Sequence, residues 1–127
     1  PTRTRLALGV AAAILSASAA FAAAPAGTGD TSLGKVWVDG KGMTLYTFDK
    51  DGPGKSNCNG DCAAKWPPFM AAADAKDDGD WTVVTRDDGS KMWAYEDKPL
   101  YLWVKDGAPG DVTGDGVGGV WHAAKAD

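Results

Sequence analysis

Hydrophobic and polar residues alternate over short stretches of this chain, and turn-forming residues separate these stretches. Two polar turns that contain glycine, 39–42 and 87–90, each lie between two such stretches. The alternating segments are 35–38, 43–48, 81–86 and 91–95. Short alternation is typical of a half-buried strand, and a Gly-containing connection of this length is typical of a hairpin. The pattern therefore predicts one β-hairpin in each half of the chain.

Other elements are also expected to be short. Segment 99–104 predicts a third strand that follows the second hairpin, so the second half should be a three-stranded meander. One helix is predicted after Asp61, which can cap it, and the prolines at 67–68 should stop it. The segment 107–119 holds six glycines, which indicates a loop.

A six-residue pattern, Tyr-x-aromatic-x-x-Asp, occurs at 46–51 and again at 101–106. The offset between the two copies is the same as the offset between Trp66 and Trp121. Register kept over this distance indicates an internal duplication. We therefore predict a small, mainly β, single domain of two pseudo-repeats of antiparallel strands and hairpins, residues 32–78 and 79–127.

Each motif fits the end of a strand. Residues two apart on a strand share a face, so the two aromatic rings of a copy should point the same way, while the preceding leucine points the opposite way. The aspartate falls where the strand gives way to a loop, and its carboxylate can accept N–H bonds from that turn. We interpret the motif as structural. Its residues are Tyr46, Phe48 and Asp51 in the first copy and Tyr101, Trp103 and Asp106 in the second.

The first residues have the pattern of a secretory signal peptide. A basic start at Arg3 and Arg5 precedes an apolar stretch, 6–21, and small residues follow it. We predict cleavage after Ala22 and a flexible lead-in over 23–31. The expected location is the periplasm or the exterior. No Cys lies near this cleavage point to accept a lipid, so we expect a soluble protein with no transmembrane segment in the mature chain.

Charge narrows the choice of partners. The chain has a net charge of −4 with 17 acidic residues, and removing the leader's two arginines makes it about −6. No basic patch is present in the sequence, which argues against a nucleic acid or an anionic membrane surface as partner. We expect a monomer that binds an envelope protein or a small ligand.

Two cysteines occur, Cys58 and Cys62. Export would place them in an oxidising compartment, so a disulfide between them is the leading interpretation. A redox-active pair is the alternative, although its usual spacing is C-x-x-C. The disulfide would fix the loop that follows the first motif.

Residues 42–68 and 85–106 resemble the two repeats of a known family, and the similarity continues to Trp121. This is the secreted-repeat family of predicted bacterial lipoproteins with a Yx(FWY)xxD motif. The resemblance implies a small exported protein, often lipid-anchored, that is built from tandem β-rich repeats. The family has no established activity, so the resemblance assigns no catalytic residues.

Metal ligands are the first candidates for chemistry. The loops after the motifs contain several carboxylates, but neither loop matches the order of ligands of an EF-hand. Calcium in a looser oxygen cage, or copper at the single histidine, remains as an alternative, and no cofactor is predicted. The candidate ligands are Asp49, Asp51, Asp111, Asp115 and His122.

Catalysis is not expected. The serines that could serve as nucleophiles with His122 lie in turns, and no G-x-S-x-G segment is present. We predict an exported, non-catalytic binding or interaction module of the cell envelope. The alternative is an accessory in periplasmic metal handling or electron transfer, in which His122, the methionines or the cysteine pair would act.

Overall fold

A computed structural model describes residues 24–126, and these form short strands, one α-helix of little more than a turn and one 3-10 helix. The fold class predicted above is confirmed: the chain is mainly β, in small antiparallel sheets, with two repeats. The predicted signal peptide, 1–22, lies outside the described residues. In chain order the elements are β1 (Gly27–Thr31), β2 (Gly34–Val38), β3 (Tyr46–Phe48), α1 (Asp61–Lys65), β4 (Trp81–Thr85), β5 (Lys91–Tyr95), β6 (Lys98–Pro99), the 3-10 helix (Val117–Gly119) and β7 (Trp121–Ala123).

The predicted flexible lead-in over 23–31 is wrong for most of its length. Residues Gly27–Thr31 form β1 and pair antiparallel with β2. The strand has few apolar side chains because it contributes mainly backbone hydrogen bonds, and a side chain at Gly29 would approach the Val38 Cγ1 atom to 3.0 Å. Small residues therefore fit in β1 against β2, but they do not produce the alternation of hydrophobic and polar residues by which a strand is predicted.

Two further boundaries differ from the prediction. Helix α1 begins at Asp61, its N-cap is Gly60 with φ of 58°, and no side chain caps it. A cap residue must precede the helix, and here that residue is a glycine with a positive φ that most other residues avoid. The third strand is shorter than the predicted 99–104, because β6 ends at Pro99 and Tyr101 then makes only single bridges.

The last strand of each repeat pairs with the other repeat. Strand β7, from the second repeat, pairs antiparallel with β3 from the first. Segment 67–70 of the first repeat lies in the position equivalent to β7 and its following residues, and it pairs with the second repeat. Leu102 N–H donates to the Pro67 carbonyl at 2.7 Å, and Trp93 N–H donates to the Phe69 carbonyl at 2.9 Å. The two repeats are therefore interleaved.

The repeats meet at the first residues of the two motifs. Tyr46 and Tyr101 exchange both backbone hydrogen bonds, at 2.8 and 2.9 Å. From this crossing the tyrosines point into one hydrophobic cluster, while Leu45 and Leu100 point into another, as the alternation predicts. All four side chains are fully buried. The motif thus lies at the centre of the molecule.

Among the described residues, no helix is long and apolar enough to cross a membrane.

Candidate functional site: the paired motifs and the neighbouring groove

The two motifs exchange hydrogen bonds between their side chains. The Tyr46 hydroxyl donates to Asp106 Oδ2 at 2.6 Å, and the Tyr101 hydroxyl donates to Asp51 Oδ2 at 2.7 Å. Each phenol is therefore bound by the carboxylate of the other copy. Strand β3 and the Tyr101 segment run antiparallel where they cross. The aspartate of each motif therefore lies beside the tyrosine of the other motif. Spacing within one copy cannot reveal this exchange, because each partner lies in the other repeat.

The second carboxylate oxygen of each aspartate binds its own loop. Asp51 Oδ1 accepts the Asn57 N–H at 2.7 Å. Asp106 Oδ1 accepts the Thr113 N–H at 3.1 Å and the Thr113 hydroxyl at 2.6 Å. Each aspartate thus bonds the turn that follows it and the tyrosine of the other repeat.

Four aromatic rings form one column beside this exchange. Phe48 stacks on Trp121 with ring centroids 4.2 Å apart, Trp121 stacks on Trp66 at 3.8 Å, and Trp66 stacks on Trp103 at 3.9 Å. The rings come alternately from the first and the second repeat. The inner two are the tryptophans that occupy equivalent places in the two repeats, and their planes differ by 3°. Phe48 and Trp103 close the two ends and are half-buried.

Each tyrosine contacts one inner ring of the column edge-on. The Tyr46 ring lies 5.4 Å from the Trp66 ring, and the Tyr101 ring lies 5.2 Å from the Trp121 ring. Edge-to-face contacts of this kind stabilise aromatic pairs beyond the burial of their area. The column and the Tyr–Asp exchange are therefore one packed unit.

The surroundings of the two phenols differ. Arg86 Nη1 donates to Ser56 Oγ at 3.0 Å, and Ser56 Oγ lies 2.6 Å from the Tyr101 hydroxyl. Since that hydroxyl donates to Asp51, Ser56 must donate to it, which makes one chain of bonds from guanidinium to carboxylate. The Tyr46 hydroxyl instead accepts the Gly114 N–H at 3.2 Å. Sequence reasoning missed Arg86, because a charged residue at the end of a hairpin strand usually lies in solvent.

Burial sets the protonation of the exchange. It raises the pKa of both phenols well above the ordinary value of 10.0, and the hydrogen bond to a carboxylate raises the pKa of each further. Both tyrosines are thus held in the neutral form. The pKa of the Asp51 carboxyl is raised by burial, an effect that the Asn57 N–H, the Tyr101 hydroxyl and the Arg86 charge oppose.

The predicted disulfide is present between Cys58 and Cys62. It closes the loop whose Cys58 carbonyl accepts Arg86 Nη2 at 2.8 Å. Cys58 is fully buried and Cys62 is half-buried. The bridge therefore fixes the backbone that binds Arg86, and this support belongs to the first repeat alone.

The candidate metal ligands are mostly held apart by their own loops. Asp49 and His122 do meet, with Asp49 Oδ2 at 2.8 Å from His122 Nε2 on the exposed surface. Asp111 Oδ2 accepts the Gly107 and Ala108 N–H groups, and Asp115 Oδ1 accepts the Ala123 N–H. Within residues 24–126 no three of the His, Cys, Asp and Glu side chains are grouped so that they could hold a metal ion.

A groove lies beside β3, next to the Phe48 end of the column. It has a volume of about 430 Å³ and runs between β3 with the turn after it and the connection from β5 to β6. A second depression of about 300 Å³ adjoins it and extends past His122 to Lys125. The residues that line both parts are Thr47, Asp49, Glu96 and Lys98.

The connection from β5 to β6 has an unusual backbone. Tyr95 pairs with Lys98, so Glu96 and Asp97 form a two-residue hairpin turn. Both have positive φ, 51° and 66°, and they are the only residues other than glycine in the described chain to do so. Turns of this kind favour Asn-Gly, because most side chains are strained at positive φ.

Comparison with known protein families identifies a family whose model matches both repeats. The family model described as a secreted repeat of unknown function matches residues 27–70 and 82–125. The chain belongs to this secreted-repeat family. The two matches in this secreted-repeat protein are related by the same offset as its two motifs. No curated protein and no solved structure matches the chain.

Proposed function

We propose that this secreted-repeat protein is an exported, non-catalytic binding module of the cell envelope, and that it holds a small polar ligand in the groove beside β3. The observation that carries the proposal is the strained Glu96-Asp97 turn at the rim of that groove. Positive φ at residues other than glycine costs about 1–3 kcal/mol each and is frequent at ligand sites. A turn that only closed a hairpin would gain stability from Asn-Gly in the same place.

The size of the groove fits a small molecule. Its volume of about 430 Å³ lies within the range of ligand pockets. Thr47 and the Phe48 ring form part of its wall, and carboxylates from two separate segments, Asp49 and Glu96, converge on it. Such a surface provides apolar contact together with a few polar groups that could orient a ligand.

The charges favour a ligand with both signs of charge. Asp97 lines the first part of the groove and Lys125 lines the second, while Asp49, Glu96 and Lys98 line both parts. Opposite charges on a ligand and its site give specificity and speed association. A short peptide or an amino-acid derivative, with an amine at one end and an acid at the other, fits this arrangement best.

The proposal can be tested by NMR titration of isotope-labelled protein with a set of zwitterionic dipeptides, using a neutral disaccharide for comparison. We expect dose-dependent amide shifts at Thr47, Glu96 and Lys98 with a dipeptide, and smaller ones with the disaccharide. Shifts that map instead to the exposed loops far from β3, or none with any dipeptide, would contradict the proposed site.

A turn variant separates binding from folding. Glu96→Asn with Asp97→Gly should stabilise the fold by about 1 kcal/mol, because strain at positive φ is relieved, and should abolish the dipeptide shifts. The control removes two carboxylates elsewhere, through Asp30→Asn with Asp74→Asn at exposed positions. It should leave the shifts unchanged. A turn variant that is more stable and still binds would overturn the role of the turn.

A further inference from the structure

The aromatic column provides a row of oxidisable side chains from the surface to a buried phenol. Trp103 is half-buried at one end, Trp66 behind it is 4% exposed, and Tyr46 is fully buried against Trp66. The successive ring centroids are 3.9 and 5.4 Å apart. Indole and phenol are the side chains other than thiols that most readily lose one electron, and close contact between rings favours transfer. Phe48, at the other end of the column, is much harder to oxidise.

A proton acceptor lies at the inner end of this row. Tyr46 donates to Asp106 Oδ2 at 2.6 Å, which is a short hydrogen bond to a carboxylate. A phenol that loses an electron becomes a strong acid, so its proton moves readily along such a bond. Burial raises the pKa of Tyr46, which means that the phenol holds its proton until the electron leaves. Loss of an electron from Tyr46 would therefore be coupled to transfer of its proton to Asp106.

Tyr101 also donates to a carboxylate, but a positive charge lies near this second phenol. Arg86 is joined to Tyr101 through Ser56, and its positive charge favours the ionised form of Asp51. Burial nevertheless raises the Asp51 pKa, so what the Arg86 charge opposes is the removal of an electron from the Tyr101–Asp51 pair, which makes that pair less negative. Near Tyr46 the further charge is instead the negative Asp115. Tyr101 also lies one ring further along the column, against Trp121. Tyr101 with Asp51 therefore serves as a matched control for Tyr46 with Asp106 within the same protein.

We propose that the column is a site of one-electron oxidation that ends on Tyr46. An oxidant, either an oxygen-centred radical or a high-potential metal complex, takes one electron at Trp103 and is itself reduced by one electron. An electron from Tyr46 refills the column through Trp66. The phenolic proton passes from Tyr46 Oη to Asp106 Oδ2, which leaves a neutral tyrosyl radical beside a protonated carboxyl.

Surrounding charges favour this direction. The Lys105 ammonium lies 5.9 Å from the centre of the Trp103 ring, so a lasting positive charge on Trp103 is disfavoured. Inward transfer removes that charge, since the final tyrosyl radical is neutral. This inference rests on the column and the exchange, and it stands whether or not the groove binds a ligand.

The test is flash oxidation of the protein by a photogenerated ruthenium(III) polypyridyl complex. The protein carries Tyr95→Phe as a background substitution, so that Tyr46 and Tyr101 are its only tyrosines. Transient absorption and freeze-quenched electron paramagnetic resonance distinguish tyrosyl from tryptophanyl radicals. We expect a tyrosyl radical in the background protein. Tyr46→Phe should abolish it, whereas Tyr101→Phe should retain it. Loss in both, loss only in Tyr101→Phe, or no tyrosyl radical in the background protein would overturn the proposal.

A second pair of variants tests the proton. Asp106→Asn keeps the shape but cannot take the proton, so we expect tyrosyl formation to slow about a hundredfold and a tryptophanyl radical to accumulate. Asp51→Asn, the matched control, should form the tyrosyl radical at the rate of the background protein. Equal rates in both would overturn the role of Asp106. Circular dichroism verifies folding, and if Asp106→Asn does not fold, the two Tyr→Phe variants decide the question.

Discussion

The two copies of the motif have the same contacts and different surroundings. In both, a buried tyrosine donates to the aspartate of the other copy and packs edge-on against a tryptophan. Around Tyr101 a serine, a buried arginine and a disulfide-closed loop complete the site, whereas around Tyr46 a close backbone approach from Gly114 does so. The shared contacts hold the two repeats together. The differing contacts place Tyr46 near the negative Asp115 and Tyr101 near the positive Arg86.

Interleaving makes each repeat depend on contacts with the other. Neither half contains the carboxylate that binds its own tyrosine, and the column alternates rings from the two halves. A single repeat would leave its tyrosine, its tryptophan and the backbone of its last strand without partners. Unpartnered polar groups and exposed rings are costly, so we expect that a single repeat does not fold on its own.

The largest expected effect comes from removing either tyrosine ring. Tyr46→Ala and Tyr101→Ala should each cost about 3 kcal/mol or more of unfolding free energy, because both rings are fully buried. Tyr→Phe at the same positions keeps the ring and should cost about 1–2 kcal/mol. Urea unfolding followed by tryptophan fluorescence measures all four. An alanine variant no less stable than its phenylalanine counterpart would show that the ring does not support the core.

The next prediction concerns a position at which the copies differ. Gly114 occupies the place in the second copy that Asn59 occupies in the first, and a Cβ at Gly114 would be 2.8 Å from Trp66 and 2.9 Å from Tyr46. Gly114→Ala should therefore destabilise by about 1–3 kcal/mol through overpacking. Asn59→Ala, at an exposed position that accepts one bond from Arg86 at 3.2 Å, should cost about 1 kcal/mol or less. Thermal melts of both compare the loops directly, and a reversed order would show that the first loop is the tighter one.

The smallest effect appears in alkali. Both tyrosines have a folded-state pKa raised above the ordinary 10.0, so the stability they contribute is complete below pH 10 and is lost as the pH rises toward the folded-state pKa. Between pH 10 and 11 the unfolding free energy should fall by about 1 kcal/mol for each tyrosine. Urea unfolding at pH 9, 10 and 11 measures this loss.

The double variant Tyr46→Phe with Tyr101→Phe is the control for the alkaline loss, since it retains every other titrating group. Its stability should change less over the same range. If wild type and variant lose the same free energy between pH 10 and 11, the two phenols are not the groups responsible.

Several features of this protein are readable from local sequence. The turn at 87–90 marks the β4–β5 hairpin, and the short spacing of Cys58 and Cys62 in an exported chain indicates the disulfide. The predicted hairpin around 39–42 is only partly formed, because β2 pairs with β1, β3 pairs with β7, and a single bridge joins Val38 to Thr44. The constant offset between the two motifs and between the two inner tryptophans indicates the duplication. By contrast, β1 is not predicted, because a glycine-rich strand that contributes mainly backbone hydrogen bonds shows no alternation. The predicted cap of α1 is wrong because Gly60, and not Asp61, is the N-cap residue.

The sequence by itself determined most of the short strands, the duplication and the face on which each motif ring lies, because these follow from residue type and from the two-residue period of a strand. Only the tertiary structure decided which carboxylate binds which phenol, how the tryptophans stack and where Arg86 lies. Those contacts join residues from opposite repeats. They depend on how the last strands exchange, and no local pattern in either copy encodes that exchange.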